Sequence, residues 1–253
     1  TLFRSYTTAT YGGSILNTTK TDTLTVTSTA AIGTFTGDFT LECWIYPSDA
    51  TLTGNWGIID TRASGGTPNA WLVALQSYSS GWTLQFYNSS SSITTFSTKI
   101  QAGCWTHIVI QRNGTTLRSF VNGVVDATTG TISGTITGGS GTTYIANSKD
   151  NGLSTYGNLG YTSNFRIVNG TAVYSTSGFT PPTSPVTAIA NTSLLVNATN
   201  SGIYDAAVQN DQITYGSAQA STTIVKWSPT SMKFNGTTDY LASPVIPSYS
   251  FGT

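Results

Sequence analysis

The chain has 253 residues, of which 38% are hydrophobic and only 8% charged, with ten basic and ten acidic side chains balancing to a formal net charge of zero. That length suits one large all-β domain with a substantial core, and the charge stands far below the roughly one quarter of an average soluble domain. The cations never form a run and no stretch approaches the ~18–20 apolar residues of a membrane helix, so neither nucleic acid binding nor membrane insertion is expected.

The helical period is almost absent, and short alternating runs bounded by Gly, Asn, Ser and Pro follow one another along the chain. Residues 39–47 alternate cleanly: Phe39, Leu41, Cys43 and Ile45 share one face, while Glu42, Trp44 and Tyr46 share the other. Residues 71–75 and 82–87 read as the next strands. Between 105 and 125, two Asn-Gly pairs (Asn113-Gly114 and Asn122-Gly123) separate β-prone runs and predict a three-stranded meander, since both turn positions tolerate positive φ. Trp105 opens this stretch, where a large aromatic closes the end of a sandwich, and His107 reads as a structural histidine. Later strands fall at 143–146, 163–168 and 193–196; Pro181-Pro182 and Pro185 mark an extended crossing segment, and Ala206-Ala207-Val208 is the best candidate for a short helix. Arg166 and Asp60 are candidates to pair across a sheet. Cys43 and Cys104 read as two small buried residues rather than a bridge, and with the lone His107 they are too few soft ligands for zinc.

Residues 14–24 parallel residues 231–241, with about 217 residues separating Ser14 from Ser231 and Asp22 from Asp239. The expected organisation is a linker or the end of a preceding module at 1–12, one sandwich domain at 13–225, and a linker with the first strands of a second, incomplete copy at 226–253. The opening Thr1-Leu2-Phe3-Arg4 has neither a signal-peptide pattern nor an initiating methionine, so a processed chain or a window on a longer one is expected.

The ordered combination of residues 37–47, residues 104–112 and Phe120-Val121-Asn122-Gly123 resembles the laminin-G-like jelly roll of the concanavalin A superfamily. Residues 160–174, with Phe179-Thr180-Pro181-Pro182, Thr192-Ser193-Leu194-Leu195 and residues 197–205, are similar to the version found in phage and cyanophage structural proteins. The resemblance spans residues 14 to about 215 and implies an all-β, two-sheet antiparallel jelly-roll sandwich on a virion surface or in an extracellular setting. It leaves room for a calcium ion, but Lys149-Asp150-Asn151 offers a single carboxylate where six to eight oxygens are wanted, so no cofactor is indicated.

Three roles compete. Glycosidase chemistry needs two carboxylates on one site, yet Glu42 is the only glutamate, its strand-face neighbours are Thr40, Trp44 and Tyr46, and no Gly-x-Ser-x-Gly elbow is present, so no enzyme is expected. Carbohydrate binding calls for aromatic faces beside amides and hydroxyls: Trp56, Tyr78 and Trp82, in or beside loops rich in Ser, Asn and Gly, and Tyr156 in the long loop after Asn147 are the candidates. The third role is architectural, a decoration or fibre module whose partners are copies of itself or other virion proteins. The expectation is a virion fibre or decoration module that touches host-surface polysaccharide; a bacterial surface adhesin of tandem lectin-like repeats and a decoration that binds no glycan are the alternatives.

Overall fold

A computed structural model describes residues 13–48, 55–62, 70–78, 81–88, 91–139, 141–148, 157–197, 203–204, 211–215, 219–221 and 231–242. The chain separates into two compact units, Thr1–Thr199 and Asn200–Thr253. Among the described residues, the strands after Thr199 pair with one another.

In the first unit the elements run β1 (Ile15–Asn17), β2 (Leu24–Thr27), α1 (Ala30–Gly33), β3 (Phe39–Pro47), β4 (Asn55–Asp60), β5 (Trp71–Tyr78), β6 (Gly81–Asn88) and β7 (Ser91–Thr95). They continue with β8 (Thr106–Asn113), β9 (Thr116–Val121), β10 (Val124–Val125), β11 (Gly130–Thr131), β12 (Thr142–Ile145), β13 (Gly160–Asn169) and β14 (Thr192–Val196). One sheet has the order β1-β13-β3-β8-β9-β10, with β11 added on β9 and β14 on β13; the other has the order β2-β12-β4-β5-β6-β7. All pairings are antiparallel.

The sheets meet through alternating side chains, as strands with one apolar face each require. Phe39, Leu41, Cys43 and Ile45 of β3 are at most 1% exposed and join one core with Ile108 and Ile110 of β8, Phe165 and Ile167 of β13, and Trp71, Val73, Leu84 and Phe86 of the opposite sheet. The predicted meander is β8-β9-β10. Its second turn is Asn122-Gly123, with both residues at positive φ (50° and 77°). The first lies one residue later than expected, at Gly114-Thr115, because Asn113 stays paired with Thr116. The candidate helix at 206–208 lies outside the described residues; α1, over Ala30–Gly33, is the helix among those described, capped by Thr29.

The other face of the large sheet carries Thr40, Glu42, Trp44 and Tyr46, and a strap of residues 171–187 crosses it. Gln111 treats Tyr174 as a strand partner would, its Nε2 donating to the Tyr174 carbonyl and its Oε1 accepting from the Tyr174 N–H, both at 2.8 Å. Thr40 Oγ1 donates to the Thr171 carbonyl and accepts from Val173 N–H. Phe179 N–H donates to the Gly123 carbonyl at 2.9 Å; a Cβ on Gly123 would meet Phe179 O at 1.9 Å, so this docking needs glycine as much as the turn does. Beneath the strap lies Glu42, fully buried. Its Oε1 accepts from Arg166 Nε (2.8 Å) and Nη2 (2.5 Å), and its Oε2 from His107 Nε2 (3.1 Å) and the Tyr174 hydroxyl (2.6 Å). Arg166 Nη1 also donates to the Thr187 carbonyl at 2.7 Å, so one guanidinium ties the carboxylate to the strap's far end. The predicted Arg166–Asp60 pair does not form: they stand in different sheets, and Asp60 instead pairs with Arg62 at 2.9 Å.

In the second unit, β15 (Ile203–Tyr204), β16 (Asp211–Tyr215) and β19 (Tyr240–Ala242) form one small sheet, and β17 (Gln219–Ser221) pairs with β18 (Ser231–Lys233). The two similar stretches, residues 14–24 and 231–241, share one kind of hydrogen bond. Asp22 Oδ2 accepts from Thr18 N–H at 2.8 Å between β1 and β2, and Asp239 Oδ2 accepts from Asn235 N–H at 2.8 Å between β18 and β19.

Cys43 and Cys104 are both free, but only Cys43 is buried as expected; Cys104 is exposed, in the turn that leads into β8 rather than on a strand face. Burial, with the nearby Glu42 charge, pushes the Cys43 thiol up. A thiol-specific reagent should label Cys104 in the folded protein and reach Cys43 only after unfolding; comparable rates at both would show that the β3 face is not closed.

Glu42 couples the stability of the fold to pH. Burial raises its pKa, but the His107 and Tyr174 hydrogen bonds and the Arg166 charge outweigh this and hold it below the ordinary carboxylate range. Asp126 behaves alike: burial opposes ionisation, yet the Thr98 hydroxyl and the N–H groups of Thr128, Ser97 and Thr98 bring it from 3.8 to about 2. Both folded-state values lie below the unfolded ones, so the stabilisation is present above about pH 4 and is lost as the pH falls through the folded values. Glu42→Gln should cost about 3–5 kcal/mol in urea unfolding at neutral pH, since Arg166 is left as an uncompensated buried charge. The variant should lose less than the parent between about pH 4 and pH 2; an unchanged acid limb would mean that Glu42 is not ionised in the folded state.

Candidate functional site

The strap leaves one end of the outer sheet face open. There, parity along β3 brings Trp44 and Tyr46 outward, and register sets their neighbours: Tyr46 pairs with Tyr161 of β13, and Trp44 with His107 of β8. Trp105, just ahead of β8, lies beside Tyr46, with ring centroids 5.7 Å apart at 60°; Tyr161 stands edge-on to Tyr46 at 5.8 Å and 82°. These four rings floor a groove of about 710 Å³. Tyr46, Trp105 and Tyr161 are tilted against one another rather than stacked. Trp105 is 42% exposed, a large apolar ring offered to solvent at the groove's mouth.

Among the described residues the walls carry no charge, and they mix Pro181 and Pro182 with hydroxyl side chains. Residues 180–184 of the strap form one side, and Ser14, Ser163 and Asn164 contribute hydroxyls and an amide. Asn164 stands at φ 51° where the β13 register breaks between Ser163 and Arg166; such a bulge re-aims a side chain, and Asn is among the few residues that tolerate this conformation. Its Nδ2 donates to Ser163 Oγ at 3.0 Å, which in turn donates to the Gly13 carbonyl.

The buried cluster holds both sides of the groove in place. His107, fixed by Glu42 Oε2, lies 5.1 Å from the Trp44 ring. Tyr174 stacks on Phe179 at 3.7 Å and 13°, and Phe179 also meets His107 edge-on at 5.8 Å. Phe179 directly precedes the wall residues, so the carboxylate that fixes His107 beside Trp44 also anchors the strap wall. Burial and the Glu42 charge push the Tyr174 hydroxyl up, keeping it a donor.

Glu42 is not available as an acid or base, with both oxygens engaged by four donors beneath the groove. Among the described residues no three of His, Cys, Asp and Glu come together where they would hold a metal ion.

Of the residues predicted to contact sugar, Trp56 and Trp82 are 1% and 3% exposed, and their rings lie 4.2 Å apart inside the sandwich. This corrects the expectation for both: neighbouring Ser and Gly suggested loops, but each ring sits on the inward face of β4 or β6 and offers nothing to a ligand. The Tyr78 side chain and all of Tyr156 lie outside the described residues. The groove aromatics were missed, although the signal was present: Trp44 and Tyr46 lie on the strand face opposite Phe39, Leu41 and Ile45, where two large rings have no core to fill. Trp105, expected to close the sandwich, instead opens toward solvent.

Comparison with solved structures finds likeness to a native heptameric SAP-like pentraxin from Limulus polyphemus (15% identity, 65% of this chain and 73% of that one, TM-score 0.41). It also finds domain 4 of AbnA, an extracellular arabinanase from Geobacillus stearothermophilus in complex with arabinotriose (15% identity, 62% and 82%, TM-score 0.38). A third is the full-length tailspike protein 2 of the Escherichia coli O157:H7 bacteriophage CAB120 (13% identity, 60% and 25%, TM-score 0.35). No curated protein matches the sequence. A family model described as the concanavalin A-like lectin/glucanases superfamily matches residues 18–172, more than half of the chain. With its two antiparallel sheets and this match, the chain belongs to the concanavalin A-like lectin/glucanases superfamily.

Proposed function

We propose that this chain is a non-catalytic carbohydrate-binding module that holds a polysaccharide in the groove floored by Trp44, Tyr46, Trp105 and Tyr161. The observation that carries the reading is this set of outward-facing rings on a sheet face that the strap otherwise covers. A pyranose presents apolar C–H faces and a rim of hydroxyls. Tilted aromatic faces bordered by Ser, Thr and Asn answer both, and rings already fixed by their neighbours lose little entropy on binding. Membership of a superfamily of lectins and glucanases supports the substrate class. The absence of catalysis is argued from Glu42, whose proton-accepting positions are filled. The biological setting we propose is a virion fibre or surface decoration that adheres to host-surface polysaccharide, on the resemblance of residues 160–205 to phage structural proteins. Weak individual sites then gain through repetition on the particle.

Trp105→Ala and Tyr161→Ala should each weaken polysaccharide retention in affinity electrophoresis by about tenfold or more, the loss of roughly 1.4 kcal/mol or more of contact energy. Both should leave the urea midpoint nearly unchanged, because the rings face outward. Trp56→Ala should instead destabilise the fold by about 3–5 kcal/mol, as truncation of a buried Trp does. Incubation with the bound polysaccharide should release no reducing ends. Retention that survives both groove substitutions would overturn the site, and turnover abolished by Glu42→Gln would overturn the non-catalytic reading.

A further inference from the structure

We propose that the groove selects uncharged polysaccharide and rejects uronate, sulfated and sialylated chains; this rests on the carbohydrate reading above and adds its substrate class. Among the described residues that line the groove there is no Asp, Glu, Lys, Arg or His. A carboxylate or sulfate entering it gives up water, and a buried anion recovers that cost only from a cation or from several converging N–H donors. The strap wall offers instead the exposed hydroxyls of Thr180, Thr183 and Ser184 beside Pro181 and Pro182, groups that match the neutral hydroxyls and apolar faces of a sugar.

Arg166, two residues beyond Asn164 on β13, does not fill the gap. Arg166 is spent on Glu42 through Nε and Nη2 and on the Thr187 carbonyl through Nη1, and it lies under the strap. His107 gives its Nε2 to the same carboxylate. The cluster that fixes the groove thus pairs its charges internally and presents none of them to the ligand. The chain as a whole adds no long-range attraction, with ten basic and ten acidic residues in balance. Contact with a polysaccharide here comes from ring stacking and neutral hydrogen bonds, and salt does not screen either.

The test uses matched pairs of probes: hydroxyethyl cellulose against carboxymethyl cellulose, dextran against carboxymethyl dextran, and galactan against polygalacturonate. Retention of the full chain is measured by affinity electrophoresis at about 20 mM and about 500 mM NaCl, conditions that change the screening length several-fold. The expected result is retention by at least one neutral probe that does not change with salt, and a loss of about tenfold or more for its acidic counterpart. Thr183→Lys, which places a cation on the strap wall, should raise retention by the acidic probe and make that retention salt-sensitive. Equal or tighter binding of the acidic probes by the parent chain, falling as salt rises, would overturn the selectivity and leave the carbohydrate site standing. Retention by no probe, with a dimer in sedimentation that Trp105→Ala dissolves, would assign the groove to a second copy of the chain and overturn both.

Discussion

One buried carboxylate organises this molecule. Glu42 sits on the outer face of the central strand of the large sheet, and its donors come from three other places: Arg166 from β13, His107 from β8 and Tyr174 from the strap. A buried ion pair is seldom a net gain against a well-packed apolar replacement, because both ions give up their water. Its contribution here is geometric. An apolar patch would hold a crossing segment in many positions, whereas four donors on two oxygens accept one. The strap's path, and hence which part of the face remains open, follows from that requirement.

The same economy runs through Asp22, Asp38, Asp60 and Asp126. With so few charges in the chain, these carboxylates act as staples for loops. Asp126 gathers the N–H groups of Ser97, Thr98 and Thr128; Asp22 closes the turn between β1 and β2; Asp38 receives Gly114 N–H beside the meander's first turn. Buried Asp60 holds Arg62 and Ser148 together. Each backbone N–H held this way is one that the sheets do not pair, so the staples complete the accounting that strands alone leave open. The described residues that line the groove follow the same pattern and carry no charge.

How much of this could be read in advance depended on the range of the interaction. Alternation along β3 assigned Phe39, Leu41, Cys43 and Ile45 to the core, and Asn122-Gly123 announced its hairpin, because both are local rules. The errors came where a decision needed a partner distant in sequence. Trp56 and Trp82 carry loop-like neighbours, but facing is decided by strand register, and Trp56 pairs with Leu75 inside the sandwich. Arg166 met Glu42 rather than Asp60 because β13 lies beside β3, a neighbourhood separated by more than a hundred residues of chain. Pro181-Pro182 correctly signalled a segment outside the sheets, yet nothing in it said which face it would cross. The groove combines two such long-range facts, the register of β3 with β13 and the course of the strap, so its aromatics were visible one by one and not as a site.

The division between cluster and groove also explains why the binding surface need not cost the fold much. Exposed aromatic rings normally invite nonspecific contact, and a sheet face with four of them would be a liability if left bare. The strap covers the part of that face where Thr40, Glu42 and Gln111 need partners, and it supplies the groove's wall with the residues that follow Phe179. Recognition is then confined to a cleft whose floor is set by β-sheet register and whose side is set by a buried carboxylate. Neither depends on the ligand. Changes in the strap's exposed wall, Thr183 and Ser184, can alter what the groove accepts without disturbing Glu42, so specificity and stability rest on separate residues of one segment.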